Sequence, residues 1–258
     1  MSGVAIGIVD TDVGPLLAPI DPWIWPSLHE TGRWEPLVGD LVRSILRPGD
    51  VVFNVGAHVG YYALMASRSV RSPDPDGPVG LVVAYEPVPS NRALLRLNTA
   101  SVSNVIIREE AVSDAAGTGE MSLSGINPGD HRLNDRRNDS TGTIPVKVVR
   151  LDDETYPTPR WPKPHIEAPL RLIFTDAQGA DLRVLRGARD WIDKDRPHLM
   201  IEWTPYMLDH ADYPVIDEIL ALGYTARLIE PGIDIASAAD GDVLGQGTAT
   251  MHLAPGVT

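Results

Sequence analysis

The chain reads as an α/β protein built on an open, mostly parallel central sheet with helices on both faces. Three observations predict it. Val51-Val52-Phe53 is a short β-branched and aromatic run between Pro48-Gly49 and Gly56, as expected of a strand buried on both faces. Gly80 to Tyr85 is a second such run, ending at Glu86-Pro87. Between them, Tyr61 to Ser69 has the apolar content of a helix, which gives the strand, helix, strand order of a parallel crossover unit.

The flanking segments extend the pattern. Leu37, Val38, Leu41, Val42, Ile45 and Leu46 recur at three- and four-residue intervals, so Glu35 to Leu46 is an amphipathic helix stopped by Pro48-Gly49. Pro89-Ser90-Asn91 starts another helix, and Val105-Ile106-Ile107 is a third strand. Glu120 to Leu123 and Ile144 to Val149 alternate around a polar loop, which suggests an added antiparallel hairpin. Leu170 to Phe174 and Pro197 to Trp203 are the fourth and fifth strands, with Asp181 to Ile192 a helix between them. A helix over Ile216 to Leu222, a strand over Thr225 to Ile229 and a last strand over Thr248 to Leu253 close the domain; the stretch between those strands reads as loop. Residues 1–34 form an N-terminal extension whose Trp23 and Trp25 pack on the main domain, as a lid over a cleft or as an anchored arm, and 35–258 form the domain itself.

Composition narrows the function classes. A 258-residue chain with 43% hydrophobic and 22% charged residues supports one α/β domain with a substantial core. The formal net charge of -13 repels phosphate backbones, so nucleic acid is not an expected partner. With no cysteine there is no disulfide, thiolate metal site or cysteine nucleophile. No run is apolar enough to span a bilayer and no basic leader precedes an apolar core, so a cytoplasmic enzyme without membrane contact is expected. Homo-oligomerisation is left open.

The chemistry concentrates at strand ends. After Asn54 comes Gly56-Ala57-His58-Val59-Gly60, a tight turn handing the first strand to a helix. Such turns bring bare backbone and helix N–H groups to a ligand, although they also occur for packing alone. The spacing is G-x-x-x-G, unlike the dinucleotide or phosphate-loop patterns. Glu86 ends the second strand, where an acid can accept both hydroxyls of a ribose.

The segments NVGAHVGYY, AYEPVPSNRALLRLN, EEAVSD, VVRLDD, IFTDAQGADLRVLRGA and PHLMIEW, in this order, resemble the FkbM-type S-adenosylmethionine-dependent methyltransferases. The likeness covers Arg47 to Tyr224. It implies a Rossmann-like class I methyltransferase fold and S-adenosylmethionine as cofactor. Asn54, Gly56, Ala57, His58 and Gly60 would then bound its methionine end, Glu86 and Pro87 its ribose, and Ala111 its adenine. The family's usual K-I-D-x-E-G reads here Phe174-Thr175-Asp176-Ala177-Gln178-Gly179, with the lysine and second acid replaced and the aspartate kept. Asp176 would orient the cofactor amine, bind a substrate hydroxyl, coordinate a cation, or simply cap the following helix.

Three residues are candidates for catalysis: His131 in the Gly129-Asp130-His131-Arg132 loop, Asp176, and Glu202 at the end of the fifth strand. An imidazole near its ordinary pKa can take a proton from a substrate hydroxyl, whereas a solvated surface histidine does nothing of the kind. Asp176 and Glu202, at neighbouring strand ends, could share a divalent cation such as magnesium through oxygen ligands. Arg132, Trp203 and Tyr206 are the expected substrate contacts, and Trp161 and His165 rim or structural residues. The resemblance implies methyl transfer to a hydroxyl of a small molecule, a specialised metabolite or its sugar. An N-methyltransferase and a catalytically inactive cofactor-binding scaffold are the alternatives.

Overall fold

The computed structural model describes residues 5–134, 140–154 and 168–256. Trp161 and His165 lie outside them. Strand β1 (Ile6–Thr11) pairs antiparallel with β2 (Gly14–Pro19), and α1 (Trp25–Thr31) follows. The unpatterned extension is thus a hairpin and a helix. Val9, Leu16, Ala18 and Leu28 bury into the same core as the central sheet, while Ile6 and Ile8 face out.

Helix α2 (Pro36–Ile45), strand β3 (Val51–Val55), helix α3 (Tyr61–Ser69), strand β4 (Leu81–Tyr85), helix α4 (Pro89–Asn98) and strand β5 (Val105–Arg108) follow the expected order. A second, four-stranded sheet comes next: β6 (Ala111–Val112), β7 (Gly117–Ser124), β8 (Arg132–Leu133) and β9 (Ser140–Val149). The expected hairpin is the antiparallel pair β7 and β9; β6 and β8 widen it on either side.

The chain then returns to the main sheet with β10 (Leu170–Thr175). The expected single helix after it is two, α5 (Asp181–Arg186) and α6 (Arg189–Asp195). The break lies at Gly187, where a Cβ would sit 2.3 Å from the Ser113 carbonyl oxygen, so close approach of the β6–β7 link sets it. Strand β11 (His198–Trp203), helix α7 (Pro214–Ala221) and strand β12 (Tyr224–Leu228) complete the pattern. The segment expected to be loop contains β13 (Ile233–Ile235) and a 3-10 turn at Ala238–Leu244, closed by a capping box between Ser237 and Asp240, before β14 (Ala249–Pro255).

The main sheet runs β13-β12-β14-β11-β10-β3-β4-β5. Its centre, β11 to β5, is parallel, and β14 lies antiparallel between β11 and β12. Alternation along the strands separates two cores. Val51, Phe53, Ile173, Ile201 and Trp203 face α5, α6 and α7; Val52, Leu172, Phe174 and Met200 face α2, α3 and the hairpin. From β3 the chain moves first toward β4 and β5, then crosses to β10. That reversal opens a crevice at the strand carboxyl ends, where ligands bind in open α/β sheets.

Asn98 fastens the hairpin to this frame. Its Oδ1 accepts the Leu17 N–H at 2.8 Å, and its Nδ2 donates to the Leu17 and Val59 carbonyls at 2.9 and 2.7 Å. Replacing Asn98 with alanine leaves these part-buried groups unmatched, at about 1–3 kcal/mol. The expected outcome is a lower urea midpoint and faster proteolytic cutting within the hairpin; an unchanged midpoint would show that the hairpin is held by its apolar contacts alone.

Candidate active site

Everything in the crevice depends on the turn after β3. Gly56 has φ +73°, and a Cβ on it would stand 2.0 Å from the Asp176 carbonyl oxygen. Only glycine lets the ends of β3 and β10 come this close. The Gly56 and Ala57 N–H groups both donate to the Tyr85 carbonyl, at 3.0 and 2.9 Å, and the Asp176 N–H donates to the Val55 carbonyl at 3.1 Å. Three strand ends are thereby locked together. Gly60 plays another part: at φ +99° it starts α3, and its missing side chain makes room for Leu95 of α4, away from the cleft.

These ends frame a cleft of about 760 Å³. Asn54, Gly56, Ala57 and His58 line one part of it, with Glu86, Pro87 and Ala111 beside them. Glu86 is 4% exposed. Its Oε2 accepts the His58 N–H and its Oε1 the Val88 N–H, both at 2.8 Å. Burial pushes its pKa up to about 7, against the pull of those two donors. His58 holds a left-handed backbone, φ +49°, and burial lowers its pKa to about 4, so the ring is neutral at pH 7. Its Nε2 and the Oδ1 of Asn54 are buried without a hydrogen-bond partner. Nearby, Glu110 is held down at about 2 chiefly by its bonds from Arg108.

The other part of the cleft is acidic. Asp176 Oδ1 accepts a 2.6 Å hydrogen bond from Gln178 Nε2. Asp176 does not cap the next helix, because Asp181 Oδ1 takes the Ala177 N–H at 3.0 Å and the Thr175 hydroxyl at 2.9 Å. Burial first, then the Asp181 charge, raise Asp176 to about 7. Glu202 is pushed well above the usual carboxylate range by burial, then by Asp176, Asp181, Glu35 and Asp130; its Oε2 is buried without a partner. Gln178 supplies a donor where a second acid would add repulsion. Phe174 lies against Tyr62, ring centroids 4.3 Å apart, and fills the lysine's place with an aromatic contact.

Two expected roles change. Trp203 is fully buried on the α5–α7 side, against Gly241, and does not reach the cleft: Glu202 and Trp203 are strand neighbours and must point to opposite faces. His131 does line the cleft, but its Nδ1 accepts the Ser124 N–H at 3.0 Å. That nitrogen is engaged by the backbone and is not free to take a proton from a substrate. Arg132 pairs with Asp130 at 2.9 Å at the cleft wall, and Tyr206 stands 54% exposed at its mouth. Among the described residues, no group of three or more His, Asp or Glu side chains is placed to hold a metal ion, so Asp176 and Glu202 have no third such side chain to complete a cation site.

The sequence reading missed Glu35, Tyr62 and Glu230, all on the cleft wall, where Trp23 of the N-terminal extension also stands. The Tyr62 hydroxyl donates to Glu35 Oε2 at 2.7 Å, and Glu35 sits at φ +43° before Pro36. Glu35, His58 and Gln178, all with left-handed backbone, line the same cleft, the kind of local strain that gathers at functional sites. Their residue types gave no sign of it.

The Methyltransferase FkbM domain family matches residues 54–226, and the chain belongs to that family. It is 39% identical over 92 residues to 31-O-demethyl-FK506 methyltransferase FkbM of Streptomyces tacrolimicus, a match covering 32% of this chain and 32% of that protein. The chain thus spans about a third of the length of the curated relative it matches. The crystal structure of Methyltransferase FkbM from Methylobacillus flagellatus KT is similar at 15% identity and TM-score 0.47, over 88% of this chain and 52% of that one. Precorrin-6y C5,15-methyltransferase from Geobacter metallireducens GS-15 aligns at 14% identity and TM-score 0.43, over 85% and 88%. The cleft suits the cofactor this family implies: a buried carboxylate with lone pairs left for two hydroxyls, and an unpartnered buried acceptor on Asn54 beside a glycine turn.

Gly56→Ala places a methyl group inside the Asp176 carbonyl and demands an unfavourable φ. The backbone term alone costs about 1–3 kcal/mol. A clear drop in melting temperature with weakened S-adenosylhomocysteine binding is expected; a variant with wild-type melting and affinity would show that the two strand ends can part without consequence.

Proposed function

We propose that the chain transfers the methyl group of S-adenosylmethionine to a hydroxyl of a small-molecule acceptor, a specialised metabolite or its sugar. The observation that carries the reading is Glu86, whose carboxylate is buried at the end of β4 with each oxygen fixed by one backbone N–H and turned to the cleft. Its remaining lone pairs accept the two ribose hydroxyls. Asn54 Oδ1 and the Gly56–His58 turn take the methionine end, and the small, buried Ala111 leaves room for adenine.

When bound, S-adenosylmethionine supplies an electrophilic methyl on a sulfonium, so the protein has to align the acceptor, take its proton and exclude water. Asp176 is the base, assisted by Glu202 on the neighbouring strand. With a pKa of about 7 it is poised for proton transfer near neutrality. The sign follows: below that value Asp176 is protonated and cannot accept, so turnover rises with pH through about 7. His131, Arg132 and Tyr206 contact the acceptor along the cleft wall and at its mouth. Trp23, carried by the link between hairpin and α1, covers that mouth as part of a lid. The oxygen acceptor named for the Streptomyces relative supports O- over N-methylation.

Calorimetry with S-adenosylhomocysteine should show micromolar binding that Glu86→Ala abolishes; no binding to the wild type would remove the proposal. With hydroxylated metabolites as acceptors, Asp176→Asn should lower kcat by about 10²–10⁴-fold and flatten the rise near pH 7, with cofactor affinity kept. His131→Ala should cost far less. A pH profile that survives Asp176→Asn would assign the base elsewhere, and cofactor binding without turnover on any acceptor would favour a scaffold role.

A further inference from the structure

Seven Asp and Glu side chains line the cleft, and Arg132 is the one Lys or Arg among the described lining residues. Three of the seven are accounted for: Asp130 pairs with Arg132, Glu110 with Arg108 and Lys147, and Glu86 belongs to the ribose in the reading above. Seven less three leaves Glu35, Asp176, Glu202 and Glu230. They share one region. Glu35 feels Glu230; Tyr62 feels both Glu35 and Asp176; Glu202 feels Asp176 and Glu35.

The cofactor cannot balance four carboxylates. Its amino and carboxylate groups cancel, so the sulfonium contributes a single positive charge. Glu202 Oε2 independently asks for a ligand: shut off from solvent and without a hydrogen-bond partner, it is a buried acceptor that nothing described satisfies. The Tyr62 and Phe174 rings, both lining the cleft, add aromatic faces that favour a cation.

We propose that the acceptor carries a basic nitrogen, held as an ammonium against the wall formed by Glu35, Glu202 and Glu230, which leaves Asp176 to the hydroxyl that is methylated on the same molecule. The substrate class is an amino alcohol or amino sugar, free or attached to a larger metabolite. Methyl transfer leaves this nitrogen unchanged. Held as an ammonium, it has no lone pair with which to attack the sulfonium, so the acidic wall also directs the methyl group to oxygen. Asp176, raised to about 7 by burial and the Asp181 charge, is partly protonated near neutrality, so a cation bound beside it expels protons, and the uptake of charge is weakened by salt.

The inference rests on the methyltransferase reading, and the test separates the two. Protein saturated with S-adenosylhomocysteine is titrated with methylammonium and glucosamine, and with their neutral counterparts methanol and glucose, by saturation-transfer NMR and by calorimetry in buffers of different ionisation enthalpy. The amines should bind about tenfold or more tightly than their neutral partners, release protons on binding, and weaken in high salt. Glu202→Gln and Glu35→Gln, each retaining wild-type S-adenosylhomocysteine affinity as proof of folding, should lose most of the preference for the amines. Equal affinity for amine and neutral probe, no measurable binding of either amine, or an amine preference untouched by both variants would overturn the proposal. So would tight binding of magnesium alone that methylammonium cannot displace, since the wall would then be a cation site. Failure of S-adenosylhomocysteine to bind at all would instead sink the underlying methyltransferase reading.

Discussion

The approach of the Gly56 α-carbon to the Asp176 carbonyl is the constraint on which the cleft depends. It holds the ends of β3 and β10 together at the point where the sheet reverses its order of travel. The Tyr85 carbonyl extends the lock to β4 by accepting from both Gly56 and Ala57. Glu86 follows Tyr85 directly, so its carboxylate inherits a fixed position and is fixed again by the N–H groups of His58 and Val88. Preorganisation of this kind places charge before any ligand arrives, with little left to order on binding.

The two faces of the sheet divide the labour. On the α5–α7 side, Phe53, Ile173, Ile201 and Trp203 make a closed apolar core, while on the other side the same strands carry Asn54, Phe174 and Glu202 to the cleft. Packing can therefore be tight on one face without crowding the chemistry on the other. The cost appears as raised pKa values at Glu86, Asp176 and Glu202, carboxylates kept from water by the fold that positions them.

Much of this was legible in the sequence, for a physical reason. Strands buried on both faces are written as continuous apolar runs, and a strand-to-helix turn that admits a ligand needs its glycines, so β3, β4, β10, β11 and the turn at Gly56 announced themselves. What failed depended on contacts distant in sequence. The split between α5 and α6 is imposed by the Ser113 carbonyl, and His131 Nδ1 is taken up by the Ser124 N–H. Trp203 was misplaced because a plausible residue type outweighed the two-residue period of a strand. Glu35 gave no signal, since its place comes from a left-handed backbone before a proline and from Tyr62.

The hairpin at the start of the chain has a consequence for how the protein comes into being. Leu17 is tied to Asn98, and Val9, Leu16 and Leu28 bury against strands made much later. Until α4 and the central strands exist, Val9, Leu16 and Leu28 have no core to bury against. One wall of the cleft, including Trp23, closes only when this segment docks. Assembly of the binding site is then a late event in folding, governed by closure of a long loop and not by the local order of the strands.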